Sequence, residues 1–384
     1  MTFLALRMQT SCPLQPQLER RFFTSLADFS KLADEWRALE KRVPDLLPFQ
    51  CYDWNYCWWQ SFADHSLLHR DHLSLSCLYQ HGQLVAVMPL THRYVGYNSH
   101  YLFRYVRPFG ADPNLTELRL PLALPELQKN MLQCWSELAH NEMLGISEFL
   151  VIQQRELAES FFADQNQLHL LEQRVIPNFI LPLAADWETL RSGLKRNIKE
   201  SLRHCYNSLK RDGLSARLRV TQGQGISAEL EQFYALHRAR ANAKDTVAHP
   251  DYFSATQHQN FLQSLLASPF AQRMHLFSLE VDNKVVAMRL GFRMNDQLYL
   301  YYSGYDQDYK KYSVMTTLLA EVIQWAIQEQ LPAINLSVGE DVSKTRWQPL
   351  RRDYVEYRCC KNQAWRISTA NLIARLRKIH KKPI

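Results

Sequence analysis

The sequence predicts an α/β protein of two mixed-sheet domains with flanking helices, and three observations predict it. Between His275 and Trp347, strand alternation and helical periodicity succeed one another in the order β-β-β-α-β. The hairpin that opens this stretch has a counterpart near the start of the chain, where Gly82 holds the turn position that Asn283 holds later. And 384 residues, 46% hydrophobic and 22% charged, exceed what one ordinary core needs and suit two.

In the later stretch, Leu276–Asp282 alternates, Asn283-Lys284 turns, and Val285–Arg293 returns. Asn295-Asp296 turns again into Gln297–Tyr305. Ser313–Gln330 reads as a helix, because Thr316, Leu319, Ala320, Ile323, Ala326 and Ile327 recur at helical spacing. Ala333–Val338 is a last buried strand leading to Gly339-Glu340. Upstream, Phe22–Leu47 reads as a strand and then a helix, with Asp28 as its N-cap. Trp54, Trp58 and Phe62 lie at i, i+4 and i+8, the spacing of an aromatic face that anchors a core. Leu73–Leu90 is the earlier hairpin, and Tyr101–Pro113 carries a further strand. Pro125–His140 reads as a helix, Ile146–Ile152 as a buried strand, and Asn178–Leu183 as the strand leading out. Asp186 caps the next helix, and Lys195–Arg211 is amphipathic, with Ile198, Leu202, Cys205 and Leu209 inward and a basic outer face. Such a face is either solvated or a wall for phosphates. Leu218–Val220 is a short strand, Leu230–Arg240 a helix, and His249–Phe253 opens another.

The words Leu300–Asp306, Tyr312-Ser313 and Gly339–Trp347, with Pro48–Phe62 near the start, resemble the cellulose-biosynthesis (CelD-like) branch of the GNAT N-acetyltransferase superfamily. That branch is related to the FemAB aminoacyl transferases. The resemblance covers about residues 22–350 and is strongest over the second copy. It implies a tandem GNAT (acyl-CoA N-acyltransferase) fold. The expected division is a leader at 1–20, an N-terminal GNAT-like domain at 21–183, a C-terminal acyltransferase domain at 184–362, and a basic amphipathic helix at 363–384. In that last stretch Ile367, Leu372, Ile373, Leu376 and Ile379 share one side with Arg and Lys around them. It reads either as a plain surface helix or as one that touches anionic lipid.

The implied activity is transfer of an acyl group from acyl-CoA or an acyl-carrier protein to an amine on an envelope or polysaccharide-related glycan or lipid. Such a reaction needs a proton acceptor for the amine, donors for the tetrahedral oxyanion and a proton for the leaving group. The expected catalytic set is Tyr302, Asp306, Glu340 and Lys344, which stand at the ends of two strands. Ser313, where the donor helix opens, is expected to bind donor with Arg196, Asn197 and Arg203, the last three on the basic helix. His237, Arg240, Tyr305 and Trp347 are expected to bind acceptor. The superfamily's donor loop carries glycine, but here Ser313-Val314-Met315 stands in its place, a side chain where backbone would approach the phosphates. Two alternatives stay open: FemAB-like transfer from aminoacyl-tRNA, with the basic helix on RNA backbone, and a catalytically inactive binding module.

The charge of +7 suits an anionic ligand without naming one. Eight cysteines, without paired metal spacing, point to reduced thiols and a cytoplasmic protein with no resident metal or cofactor. No stretch approaches a membrane span and no signal peptide is legible, so any membrane contact is expected to be peripheral, at the inner membrane.

Overall fold

The computed structural model describes residues 18–97, 100–110, 115–128, 130–131, 146–151, 168–243 and 250–361. The expected basic tail helix and nearly all of the expected leader lie outside them, as does most of the helix expected at 125–140.

The first half runs β1 (Leu18–Phe23), α1 (Leu26–Lys31), α2 (Ala33–Glu40), α3 (Tyr52–Phe62), β2 (His69–Gln80), β3 (Gln83–Tyr97), β4 (His100–Pro108), β5 (Leu122–Ala123), β6 (Ile146–Val151) and β7 (Leu168–Pro182). The second runs α4 (Trp187–Gly193), α5 (Arg196–Arg211), β8 (Ala216–Gln222), α6 (Leu230–Ala241), α7 (Thr256–Ala267), β9 (Met274–Val281), β10 (Lys284–Arg293), β11 (Gln297–Tyr305), α8 (Val314–Gln328), β12 (Ala333–Val338), α9 (Val342–Thr345) and β13 (Leu350–Lys361). Expectation and structure part in places. Ser25, not Asp28, caps the first helix: its hydroxyl accepts from the Asp28 amide at 3.1 Å. The helix expected to open at His249 begins at Thr256. β13 was not anticipated.

Among the described residues one sheet holds all the strands, in the order β1-β2-β3-β4-β6-β13-β7-β12-β11-β10-β9-β8, with β5 beside β3. The order repeats about its middle. Four antiparallel strands, β1 to β4 or β8 to β11, are followed by a parallel neighbour, β6 or β12, and then an antiparallel one. The repeat extends to the turns. His81-Gly82 and Asp282-Asn283 all have positive φ, the paired left-handed conformation of a tight type I′ hairpin. The last strand of each half, however, completes the other. β7 flanks β12 of the second half, β13 flanks β6 of the first, and the two pair antiparallel from Leu350–Ile180 to Lys361–Leu168.

The expectation of a separate core for each copy is corrected in the same way. One apolar cluster belongs to the second half apart from Phe179 and Leu181 of β7. The other combines first-half residues with Phe233, Phe261, Leu290, Phe292 and Tyr301. The aromatic face of α3 makes that join. Trp54 packs edge-on against Phe261 at 5.1 Å, Phe292 at 5.7 Å and Tyr301 at 6.0 Å. Among the described residues no helix is long and apolar enough to cross a membrane.

Candidate active site

β11 and β12 are parallel neighbours that pair only from Gln297–Ala333 to Tyr299–Asn335. Beyond that point the ladder stops and the strands part. Ser337 on β12 takes φ 71° and Gly339 just beyond it φ 90°, left-handed conformations that turn the chain out of register. On β11 an extra residue intervenes opposite β10, since Arg289 faces Ser303 but Gly291 faces Leu300. This bulge breaks the alternation and brings the rings of Tyr301 and Tyr302 to 4.3 Å of each other. Buried amides brace the fork. Asn178 of β7 and Asn335 of β12 exchange hydrogen bonds at 2.8 and 3.2 Å, and Asn335 also donates to Gln297 of β11 at 3.1 Å.

A carboxylate from the first half occupies this opening. Glu117 accepts from the Tyr299 hydroxyl on β11, and from Ser337 Oγ on β12 at 2.9 and 3.0 Å. Its segment is tied down on both sides: Tyr301 donates to the Leu115 carbonyl at 2.5 Å, Trp54 Nε1 to Thr116 at 3.2 Å, and Arg119 pairs with Glu356 of β13 at 2.6 Å. Burial pushes the Glu117 carboxyl above its ordinary value, against the pull of Tyr299, Lys344 and Ser337.

Lys344, on α9 just after β12, lies in the same electrostatic neighbourhood. Its ammonium donates to the carbonyls of Val338 at 2.5 Å and Gly339 at 3.2 Å. Burial lowers it to about 8, although Glu117 works the other way. Asp341 caps α9 by accepting from the Ser343 amide at 2.6 Å. Burial opposes its ionisation, but Ser343 and the charges of Lys344 and Arg240 outweigh burial and hold the carboxyl low.

α6 brings two more expected residues to the site. A Cβ on Gly304 would lie 2.2 Å from the His237 nitrogen and 2.3 Å from the Leu236 carbonyl carbon, so only glycine lets α6 lie directly on β11. That approach puts His237 Nδ1 3.1 Å from the Ser303 carbonyl, and Arg240 Nη1 2.7 Å from Ser303 Oγ. Tyr302 packs between His237 at 5.6 Å and Tyr252 at 4.7 Å. Arg289, the cross-strand partner of Ser303, completes the group. Burial lowers it to about 10, and Arg240 adds to the effect.

Lys344, His237, Arg240 and Tyr302 are therefore gathered around the fork, while the other expected site residues have different commitments. Asp306 is engaged by Lys284 at 2.8 Å and caps the turn that follows it. Glu340 is exposed and pairs with Arg351 at 3.1 Å. Trp347 is a core side chain and Tyr305 is buried in the same cluster. On α5, Arg196 pairs with Glu200 at 2.6 Å, Asn197 accepts from the neighbouring Ile198 amide at 2.8 Å, and Arg203 is exposed. Ser313 does open α8, and it adopts the left-handed conformation, φ 54° and ψ 42°, that the family's glycine would take without strain. The loop thus keeps a glycine-like backbone without glycine.

Sequence reasoning missed Glu117, Tyr299, Ser303, Ser337, Asp341 and Arg289. Ser303 and Asp341 lie within the words Leu300–Asp306 and Gly339–Trp347, and Arg289 is the one charge within the apolar run Val285–Phe292. Glu117 is far from the fork in sequence and sits in no motif.

Residues 196–348 match the family model described as Acetyltransferase (GNAT) domain. This stretch contains β8 to β12 and both helices on the fork, so the chain carries an acyltransferase domain of that type. No curated protein matches the chain. Among solved structures, FemX aligns with a TM-score of 0.60 at 10% identity, over 88% of this chain and 97% of that one. The C-terminal domain (DUF2156) assigned to a lysylphosphatidylglycerol synthetase from Agrobacterium fabrum aligns with a TM-score of 0.50 at 12% identity, over 91% and 97%. These likenesses concern the fold.

Proposed function

We propose that the protein transfers an acyl group from an activated carrier to an amine at the fork between β11 and β12. One observation carries the reading: the Glu117 carboxylate and the Lys344 ammonium share the opening where the two parallel strands part. Glu117 takes the proton that the amine loses as its nitrogen bonds the acyl carbon. Lys344 stabilises the oxyanion, and the carbon–sulfur bond then breaks, with the proton passing to the departing thiol. Arg240, anchored on Ser303, and the tyrosines of the β11 bulge shape the cleft around those atoms.

Acyl-CoA or an acyl-carrier protein is the donor in this reading. The acceptor is an amine of an envelope or polysaccharide-related glycan or lipid, in keeping with the CelD-like words of the sequence. The enzyme works in the cytoplasm, and residues 365–384 bring it to the inner membrane surface. A second reading, aminoacyl transfer from tRNA, draws support from the fold similarity to FemX and from the exposed basic residues of α5. Under it, donor binding falls steeply with salt.

The test presents the full chain with an acyl-CoA, an acyl-carrier protein and an aminoacyl-tRNA, together with a panel of amines. Amine-dependent release of thiol from either thioester supports the first reading, and amine-dependent deacylation of tRNA alone supports the second. A chain that binds these donors yet turns over none with any amine is a binding module.

A further inference from the structure

We infer that Ser337 is a positioning residue for the transfer step: its hydroxyl, aimed by a bulge in β12, sets the Glu117 carboxylate so that one oxygen is left for the proton of the amine. The inference rests on Glu117 accepting that proton, and it holds for a thioester or an aminoacyl donor alike.

β12 meets β7 residue for residue from Ala333–Pro182 to Asn335–Ile180, and the next pair is Val338–Asn178. Leu336 and Ser337 therefore stand opposite Phe179 alone, a bulge of one extra residue. Such a bulge re-aims side chains away from their alternating directions. Ser337 absorbs it with a φ of 71°, which a glycine would take up without strain. What serine adds at this position is its hydroxyl, and that hydroxyl spans both oxygens of Glu117 at 2.9 and 3.0 Å.

The bulge is locked from inside. The Asn335 side chain is fully buried, and each of its hydrogen-bonding positions is filled. Oδ1 accepts from the Ser337 amide at 3.0 Å and from Asn178 at 2.8 Å. Nδ2 donates to Asn178 Oδ1 at 3.2 Å and to Gln297 Oε1 at 3.1 Å. A backbone amide can only donate, so Ser337 fixes which way round the Asn335 amide sits. Buried and fully satisfied, this network ties the bulge to β7 on one side and β11 on the other, and leaves Ser337 little freedom to turn.

The hydroxyls divide the carboxylate unequally. Glu117 Oε2 accepts from Tyr299 and from Ser337, and Oε1 from Ser337 alone. The Ser337 hydroxyl has a single hydrogen to share between the two oxygens, so Oε1 keeps the freer lone pairs and is the oxygen that takes the amine proton. Two donors from the two strands of the fork hold the plane of the carboxylate, where Tyr299 by itself would let it swing.

Ser337→Gly and Ser337→Ala test the role. Both remove the hydroxyl, but glycine relieves the backbone strain and alanine keeps it. Values of kcat and KM are measured on the full chain with the donors and amines of the test above, together with melting temperatures. Both variants should lose about tenfold or more in kcat, by the same factor and with KM within about twofold, although Ser337→Gly melts above Ser337→Ala. A Ser337→Gly protein with wild-type kcat, or a loss of kcat that follows the melting temperature from one variant to the other, overturns the role.

Ser337→Gly made in a Glu117→Gln protein should cost nothing further in kcat, because the hydroxyl acts through that carboxylate. A further tenfold loss there would show that Ser337 acts on something else, and overturns the role as well. A wild type that turns over no amine with any of the donors removes the acyltransferase reading, and the role falls with it; the earlier outcomes overturn the role and leave that reading in place.

Discussion

The Tyr299 hydroxyl donates its hydrogen bond to Glu117, a residue of the other half of the chain. This contact sets a first-half carboxylate into the fork of a second-half domain, and it makes that domain incomplete without its partner. The two halves differ in consequence: the second supplies the strands and cations, and the first supplies Glu117, which lies outside 196–348.

Glu117→Gln keeps the shape of the side chain and removes its charge. If Glu117 accepts the amine proton, kcat should fall by about a hundredfold or more. Stability should change by about 1 kcal/mol or less at neutral pH. The folded carboxyl titrates above its ordinary 4.5, so the folded state holds the proton longer than the unfolded one. The resulting stability is present below pH 4.5 and is lost as pH rises through the folded value. Denaturation from pH 4 upward should therefore show the variant gaining on wild type. A constant difference between the two would reject the buried titration.

If Lys344 stabilises the oxyanion, it acts while protonated. With its folded value near 8, kcat/KM should decline as pH rises past about 8, and Lys344→Met should cut activity about a hundredfold and abolish that limb. The stability sign follows from the same shift. Between 8 and 10.5 the unfolded chain binds the proton more tightly, so stability rises with pH through that window, and below 8 the full penalty is present. Unchanged pH profiles in wild type and variant would show that the ammonium serves only the carbonyls of Val338 and Gly339.

Gly304→Ala should be far more costly than an ordinary strand substitution. The added methyl meets backbone of α6 at 2.2 to 2.5 Å, and backbone cannot rotate away. Loss of about 2 kcal/mol or more is expected from urea unfolding. Activity should fall with it, since α6 carries Arg240 and His237. A fully stable, fully active variant would mean that α6 has room to shift.

The exchanged strands predict one cooperative unit. Residues 1–183 made alone lack β12 and β13, both partners of β7, and should not fold, whereas co-expression with 184–384 should recover soluble complex. Trp54→Ala in the intact chain should cost about 3 to 5 kcal/mol and lower a single calorimetric transition, not one of two. Two separate transitions, with only one displaced, would show that the halves melt independently.

What the sequence determined by itself was local. Alternation gave β9 to β12 nearly to the residue, helical spacing gave α8, and the matching hairpins gave the repeat, because side-chain periodicity and turn chemistry are properties of neighbouring residues. Lys344 and Tyr302 were legible as candidates since they stand near strand ends and in the words Gly339–Trp347 and Leu300–Asp306. Tertiary structure decided the rest. It exchanged β7 and β13 between the halves, it committed Asp306 to Lys284 and Trp347 to the core, and it carried Glu117 to Tyr299. None of these has a sequence period, because each pairs residues that only the closed sheet brings together. The burial that shifts Glu117 and Lys344 toward chemistry exists only once both halves have folded onto one another.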